Sequence, residues 1–389
     1  MKKTIKDIEV ADKRVLVRVD FNVPLQNGAV ADDTRIRSTL PTIEHLISHG
    51  AKVILCSHLG RPKGKPDEKF RLDPVAERLS ELLHTKVGKL DDCVGPEVES
   101  AVENLEPGGV LLLENTRFHP GEKENDPEFA SRLAKLADIY VNDAFGAAHR
   151  AHASTEGVAH YLPAVAGLLM ERELDVLSRT LEHPEHPFVA IFGGAKISDK
   201  IGVVERLLDR LDKLLVGGGM ANTLLRAQNL ETGKSLVEEE SLETGRRILN
   251  EAVDKLVLPV DVVIAEEFKS EAETKVVLVD RVPPDWRILD IGPQTIDLFK
   301  DKLKSVKTLV WNGPLGAAEL EPFAQGTKAV AQCLGEQDGV FVVGGGDTVA
   351  VLNQLGLAGK MTHLSTGGGA FLEFLEGKEL PGVAVLQDR

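Results

Sequence analysis

The stretch from Phe188 to Gly219, FVAIFGGAKISDKIGVVERLLDRLDKLLVGGG, narrows the folds open to this chain more than any other. Phe188–Phe192 is an apolar run ending on Gly193-Gly194, as a buried strand would. Ile197, Ile201, Val204, Leu208, Leu211 and Leu215 fall alternately four and three apart, which predicts one face of a long helix. A second apolar run, Lys213–Val216, stops on Gly217, Gly218 and Gly219. Strand, helix and strand with glycines at both strand ends make the repeating unit of a parallel sheet, and such sheets bind ligands beyond the carboxyl ends of their strands. Lys196 and Lys200, four apart at the expected helix start, put two ammoniums on one side. That end of a helix already carries partial positive charge, so an anion such as a polyphosphate relieves all three. An isolated lysine pair is more often a solvated helix face; here the flanking glycines and the strand context favour the anion.

The same alternation runs through both halves. RVLVRVDFNVP, AKVILCSHLGRP, GGVLLLENTRF and DIYVNDAFGAAHR read as strands leading into polar loops. The segments between them read as helices: residues 33–50, closed by Gly50; Leu72–Leu83, with Asp73 as N-cap; Val94–Leu105; and Pro127–Ala137. Leu162–Glu182 reads as one long helix opened by Pro163. Beyond it, strands are expected at Phe188–Phe192, Lys213–Val216, Asp261–Ala265, Lys275–Val279, Arg287–Ile291, Thr308–Trp311, Val340–Val343 and His363–Ser365, with helices such as Thr295–Leu303 and Thr348–Leu355 between. The expected fold class is α/β: two doubly wound, Rossmann-like parallel-sheet domains joined by a long helix and hinge. Their bounds are 1–162, with 163–182 connecting and 183–374 second; an apolar tail, about 375–389, is free to dock.

A chain of 389 residues exceeds a single ordinary core, which agrees with two domains. A net charge of −15 argues against nucleic acid or an anionic membrane as partner, so any anion site must be a local basic island. Three cysteines, Cys56, Cys93 and Cys333, form no paired framework and fit reduced thiols in a cytoplasm. The N-terminus lacks the apolar segment of a signal peptide, and no run approaches a membrane span.

The strand ends differ between the halves. In the first they carry Asp20, Asn22, His58, Arg61, Arg117, His149 and Arg150, with Arg35 on the next helix. Arginines recurring at strand ends suit a phosphate or carboxylate ligand. The histidines of HRAHASTE lack a third ligand at metal-site spacing. In the second half the loops are glycine-rich, and GGGDT places Asp347 and Thr348 where a hydrated Mg²⁺ beside a polyphosphate would sit, or where a helix would be capped. Two motifs fail. LETGKS ends like a phosphate loop, but its first glycine is replaced by Gln228. GGGMAN and GGGDTV lack the third dinucleotide glycine, at Asn222 and Val349. One half thus suits a small anion and the other a nucleotide polyphosphate, in an arrangement fit for transfer between two ligands that meet on closure. No nucleophile–base pair stands out, and phosphoryl transfer to an ionised carboxylate needs none.

RVDFNVP, SHLGRP, ENTRFHPGE, NDAFGAAHRAHAS, GGAKISDK, WNGPLGAAE, GGGDT and STGGGA, in this order, resemble the phosphoglycerate kinases along essentially the whole chain. The resemblance implies reversible, in-line phosphoryl transfer from 1,3-bisphosphoglycerate to ADP in glycolysis, with Mg²⁺, by a hinge-bending, monomeric, cytoplasmic enzyme. It assigns the phosphoglycerate to Asp20, Phe21, Asn22, Arg35, His58, Leu59, Gly60, Arg61, Arg117 and Arg150. Catalysis falls to Arg35, Lys196, Gly368 and Gly369. The nucleotide is assigned to Lys200, Gly217, Gly218, Gly219, Gly292, Asn312, Pro314, Glu319, Gly345, Gly346, Asp347 and Thr348, with Asp347 on the metal. It also brings the C-terminal segment back to the first domain. Read without it, a phospho-ligand binding protein without chemistry and a dinucleotide oxidoreductase stay open; the paired lysines at a glycine turn and the failed fingerprint weigh against them.

Overall fold

Eight short strands fall in the first half of the chain: β1 (Arg14–Arg18), β2 (Leu25–Gln26), β3 (Ala29–Val30), β4 (Lys52–Cys56), β5 (Val87–Lys89), β6 (Val110–Leu112), β7 (Ile139–Asn142) and β8 (Ala164–Ala166). All but the β2–β3 hairpin form one parallel sheet of order β5-β6-β4-β1-β7-β8. Its central strands are apolar at successive positions because both faces are covered: Val15 and Val17 enter one core cluster, and Leu16 between them is equally buried. The computed structural model describes residues 1–389 and divides into two units, Met1–Asp175 with Lys378–Arg389, and Val176–Gly377. The C-terminal segment belongs to the first unit. Its Gln387 amide donates to Ala164 (3.0 Å), and Asn142 Nδ2 donates to the Gly382 carbonyl (2.9 Å).

The second unit holds β9 (Phe188–Phe192), β10 (Lys213–Val216), β11 (Leu256–Val257), β12 (Asp261–Ala265), β13 (Thr274–Leu278), β14 (Arg287–Ile291), β15 (Thr308–Asn312), β16 (Val340–Gly344) and β17 (His363–Ser365). Six of them make a parallel sheet of order β11-β10-β9-β15-β16-β17. The others form a separate antiparallel sheet, β13-β12-β14, which the expected all-parallel pattern did not include. Its strand β13 is largely exposed, so it never needed the two-sided burial that marks a parallel strand.

Several helices differ from expectation. The helix after Lys196 spans only Ile201–Leu208. Lys196 precedes it in an irregular segment and Lys200 is its N-cap, because Glu238 accepts from the amide and hydroxyl of Ser198 and holds that segment outside the helix. Leu215, which shares the helical spacing, lies in β10. Residues 164–166 are strand β8, not helix; the helix begins at Leu168, where the Asp143 carboxylate accepts from the Leu169 (2.9 Å) and Met170 (3.1 Å) amides. Asp73 is the first residue of its helix and not its N-cap, which is Leu72. No helix is long and apolar enough to cross a membrane.

Candidate active site

In the first unit the loops after β1, β4, β6 and β7 converge beyond the carboxyl ends of their strands. Asn22 Oδ1 accepts from the Gly60 amide (2.8 Å), and Asn115 Oδ1 accepts from the amides of Leu59 (3.2 Å) and Arg117 (3.1 Å). Asp20 pairs with Arg35 (3.2 Å), whose Nη1 also donates to the Asn22 carbonyl (3.0 Å). Gly60 adopts φ +60° with the Phe70 ring so close that no β-carbon fits. Phe21 and Leu59 are buried.

Charge is the notable property of this cluster. Arg117 is buried; its Nη1 donates to the Gly60 carbonyl (2.7 Å), its Nε has no partner, and no carboxylate pairs with it. Burial, then the charges of Arg18 and Arg150, lower its pKa to about 10. Burying an unpaired guanidinium is costly, so the site favours an anion that supplies the missing countercharge. Arg61 and Arg150 are exposed at the rim. His58 and His152 are also buried here. Burial first, then neighbouring arginines, hold both below the ordinary histidine range, His152 at about 4. The sequence reading missed Arg18, and weighed His152 only as a metal ligand within HRAHASTE. Arg18 had a signal: a charge inside the apolar run RVLVRV of a two-face-covered strand.

In the second unit the loops after β9, β10 and β15 touch backbone to backbone. The Gly194 amide donates to the Pro314 carbonyl and the Gly218 amide to the Leu315 carbonyl, both at 2.8 Å. They border a cavity of about 570 Å³ reached by Gly218, Gly219, Pro314, Glu319 and Asp347 among the expected residues. Lys200, Gly217, Gly292, Asn312, Gly345, Gly346 and Thr348 do not line it; Gly292 packs on the Asp261 carboxylate, where a β-carbon would clash. Lys200 is buried, its pKa lowered chiefly by burial, and its ammonium lies beside Gly194 with no hydrogen bond inside the protein. Lys196 is exposed. Gly345 (φ +99°) leads into the helix Gly346–Gln354, whose first turn carries Asp347 and Thr348. The Thr348 hydroxyl is buried without a partner. Gly367 is buried and Gly368 and Gly369 open the helix Gly369–Leu375.

The far wall of the cavity was not foreseen. It includes Leu236 and Phe268, both exposed, and Asn222, whose buried Oδ1 has no partner. Lys234 and Ser235 of the rejected phosphate-loop motif lie there too, after a helix as the sequence indicated. Outside both sites, Asp92, Cys93 and His119 bring ligand-type atoms within 4.8 Å of one another, but they are satisfied internally: His119 bonds Asp92 (2.6 Å) and the Cys93 thiol donates to the Glu114 carbonyl (2.9 Å).

Known proteins match the chain over its length. The family model described as phosphoglycerate kinase matches residues 5–378. The phosphoglycerate kinase of Moorella thermoacetica is 59% identical over 391 residues, covering 100% of each chain. That of Chloroflexus aggregans is 59% identical over 396 residues, covering 100% of this chain and 99% of its own. Two solved structures share the fold: phosphoglycerate kinase from Coxiella burnetii (TM-score 0.86, 45% identity, 99% and 98% of the two chains) and from Pyrococcus horikoshii (TM-score 0.90, 33% identity, 99% and 98%). A basic island at the strand ends of one parallel sheet, a glycine-walled cavity at those of the other and full-length likeness to these enzymes lead to one conclusion: the chain belongs to the phosphoglycerate kinase family.

Proposed function

We propose that the first unit holds the phosphoglycerate and the second the nucleotide in the family's reaction, 1,3-bisphosphoglycerate + ADP ⇌ 3-phosphoglycerate + ATP. The observation that carries this division is Arg117, a buried guanidinium that forms no ion pair with a carboxylate of its own unit. Arg61 and Arg150 add charge at the rim, and Asp20, Asn22, His58 and the Gly60 loop offer hydrogen bonds to the glycerate. Arg35, tied to Asp20 and the Asn22 carbonyl, reaches toward the transferring group. In the second unit, Gly218, Gly219, Pro314 and Glu319 hold the nucleoside, and Lys200 with Gly345, Gly346 and Thr348 holds the phosphates.

The residues at the start of the helix Gly346–Gln354 fit a hydrated Mg²⁺. Asp347 offers an exposed carboxylate lining the cavity, and the neighbouring Thr348 hydroxyl is buried and unpaired. Asp347 would hold the ion, which when bound neutralises charge on the nucleotide phosphates. The protein's own part in the transfer is positioning and positive charge. Lys196 and Arg35 stabilise the equatorial oxygens of the moving phosphoryl group, with the backbone amides at Gly368 and Gly369 beside it. An in-line path needs donor and acceptor oxygens about 3–3.5 Å apart, so we include closure of the two units on their ligands, which also shields the acyl phosphate from water. Small-angle scattering checks this: a fall in radius of gyration for the ternary complex and little change for either binary one. The same reading makes the enzyme monomeric and cytoplasmic.

The deciding experiment is ATP formation from ADP and 1,3-bisphosphoglycerate, with and without Mg²⁺. Mg²⁺-dependent ATP production is expected; binding of both ligands without turnover would overturn the assignment.

A further inference from the structure

Beneath the basic island lies a chain of buried polar groups that the transfer chemistry above does not use. Glu122, Ser154, Thr116 and Arg18 each expose none of their surface. The Glu122 carboxylate accepts from the Ser154 hydroxyl (2.6 Å), the Ser154 amide (3.0 Å) and the Thr116 hydroxyl (3.1 Å). Having given its single proton to Glu122, the Ser154 oxygen accepts from Arg18 Nε at 2.8 Å. Arg18 Nη1 donates to the Val19 carbonyl, and Nη2 lies 3.0 Å from His58 Nδ1.

A guanidinium can only donate. The Arg18–His58 contact is therefore a hydrogen bond only when Nδ1 carries a lone pair, which leaves the imidazole proton on Nε2. A second proton on Nδ1 would point at a fixed positive charge. Asp20 Oδ1, 3.9 Å from Nδ1, is too far to hold that proton in competition. The direction in which burial and the charges of Arg18, Arg117 and Arg35 move this histidine, well below its ordinary range, agrees. Nε2 itself has no partner within the protein.

We propose that Arg18 is a positioning residue, anchored by Ser154 and the buried Glu122 carboxylate, that locks His58 as the neutral Nε2–H tautomer and so makes it a hydrogen-bond donor to the anionic ligand of the first unit. Along the order Glu122, Ser154, Arg18, His58, ligand, Arg18 donates both ways: through Nε to Ser154, whose hydroxyl donates to Glu122, and through Nη2 to His58 Nδ1, which leaves the Nε2–H for the ligand. The arrangement lets a histidine among several arginines contribute a directed N–H without adding another charge to the site. This inference rests on the first unit being the phosphoglycerate site.

Long-range ¹H–¹⁵N correlation spectra of the full-length protein with ¹⁵N-labelled histidine test it directly, with His58→Gln to assign the signal. A pyrrole-type Nε2 and a pyridine-type Nδ1, unchanged between about pH 5.5 and pH 8, are expected. An Nδ1–H tautomer, or an imidazolium signal at pH 5.5, overturns the proposal. Calorimetry supplies the second arm. Arg18→Met should release the tautomer and weaken 3-phosphoglycerate roughly tenfold, the scale of a lost hydrogen bond to a charged group, with MgADP binding unchanged. Arg18→Lys, which keeps a donor, should restore part of both readouts. Ser154→Ala, the milder change, should give a smaller loss of the same kind, and serves if Arg18→Met fails to fold. Weakened binding with the His58 signals unmoved would make Arg18 a merely structural residue and reject the relay. Failure of the wild-type protein to bind 3-phosphoglycerate, with the tautomer as expected, would fault the site assignment instead.

Discussion

The carbonyl oxygen of Gly194 lies 2.8 Å from where a β-carbon on Gly218 would stand, and the Gly194 nitrogen is equally close. Gly218 also has φ +61°. The two strand-end loops bordering the cavity of the second unit thus approach through a position that only glycine fills without strain. Gly218→Ala should force the loops apart and weaken MgADP about tenfold, a cost of the order of 1–2 kcal/mol for a left-handed alanine plus a backbone clash. Binding of 3-phosphoglycerate should not change. Calorimetry of both ligands on the variant checks it, and unaltered MgADP affinity would show that this loop contact does not shape the nucleotide site.

Lys196 is exposed and unpaired in the segment before the helix Ile201–Leu208, whereas Lys200 is buried. An exposed ammonium contributes little to holding a ground state but can meet charge that develops during transfer. Lys196→Ala should lower kcat by roughly 10²-fold or more and leave nucleotide Kd within a few-fold. A variant with normal kcat and weakened nucleotide binding would make Lys196 a ground-state contact.

His152 ties stability to pH. Its pKa is pushed from 6.5 to about 4 by burial and then by Arg117, Arg18 and Arg150. Between those values the unfolded chain binds more protons than the folded one, so stability falls as pH drops through this window and the slope ends below about 4. His152→Gln removes the proton uptake. Its melting temperature relative to wild type should therefore shift in the variant's favour as pH is lowered from about 7 to about 4. A constant offset across that range would mean His152 does not titrate as its surroundings dictate.

Much of this was legible in the residues. Strands buried on both faces announce themselves as apolar runs, which is why β9 and β10 fall at the expected positions. Helical periodicity was less reliable. The four-and-three spacing from Ile197 to Leu215 spans a turn, a short helix and a strand, and the deciding contact, Ser198 to Glu238, joins residues forty apart in sequence. Asp143 likewise sets the start of the helix Leu168–Glu182 from more than twenty residues away. Glycine-rich strand ends pointed to one wall of the cavity in the second unit. Its other wall, with Phe268, depends on an antiparallel sheet that has no two-face burial to mark it. Arg18 was visible as a misplaced charge, but its role depends on Ser154 and Glu122, which only the fold brings together.

The central claim is that each unit holds its own ligand, with Arg117 anchoring the phosphoglycerate. Titration calorimetry of Arg117→Ala against 3-phosphoglycerate and, separately, MgADP tests it most directly. The account predicts that 3-phosphoglycerate binding weakens by about 1.5–3 kcal/mol, the range for a charge-assisted contact, while MgADP binding stays at the wild-type value. A comparable loss for MgADP would contradict it, because the buried guanidinium would then serve both ligands and the division between the units would be wrong.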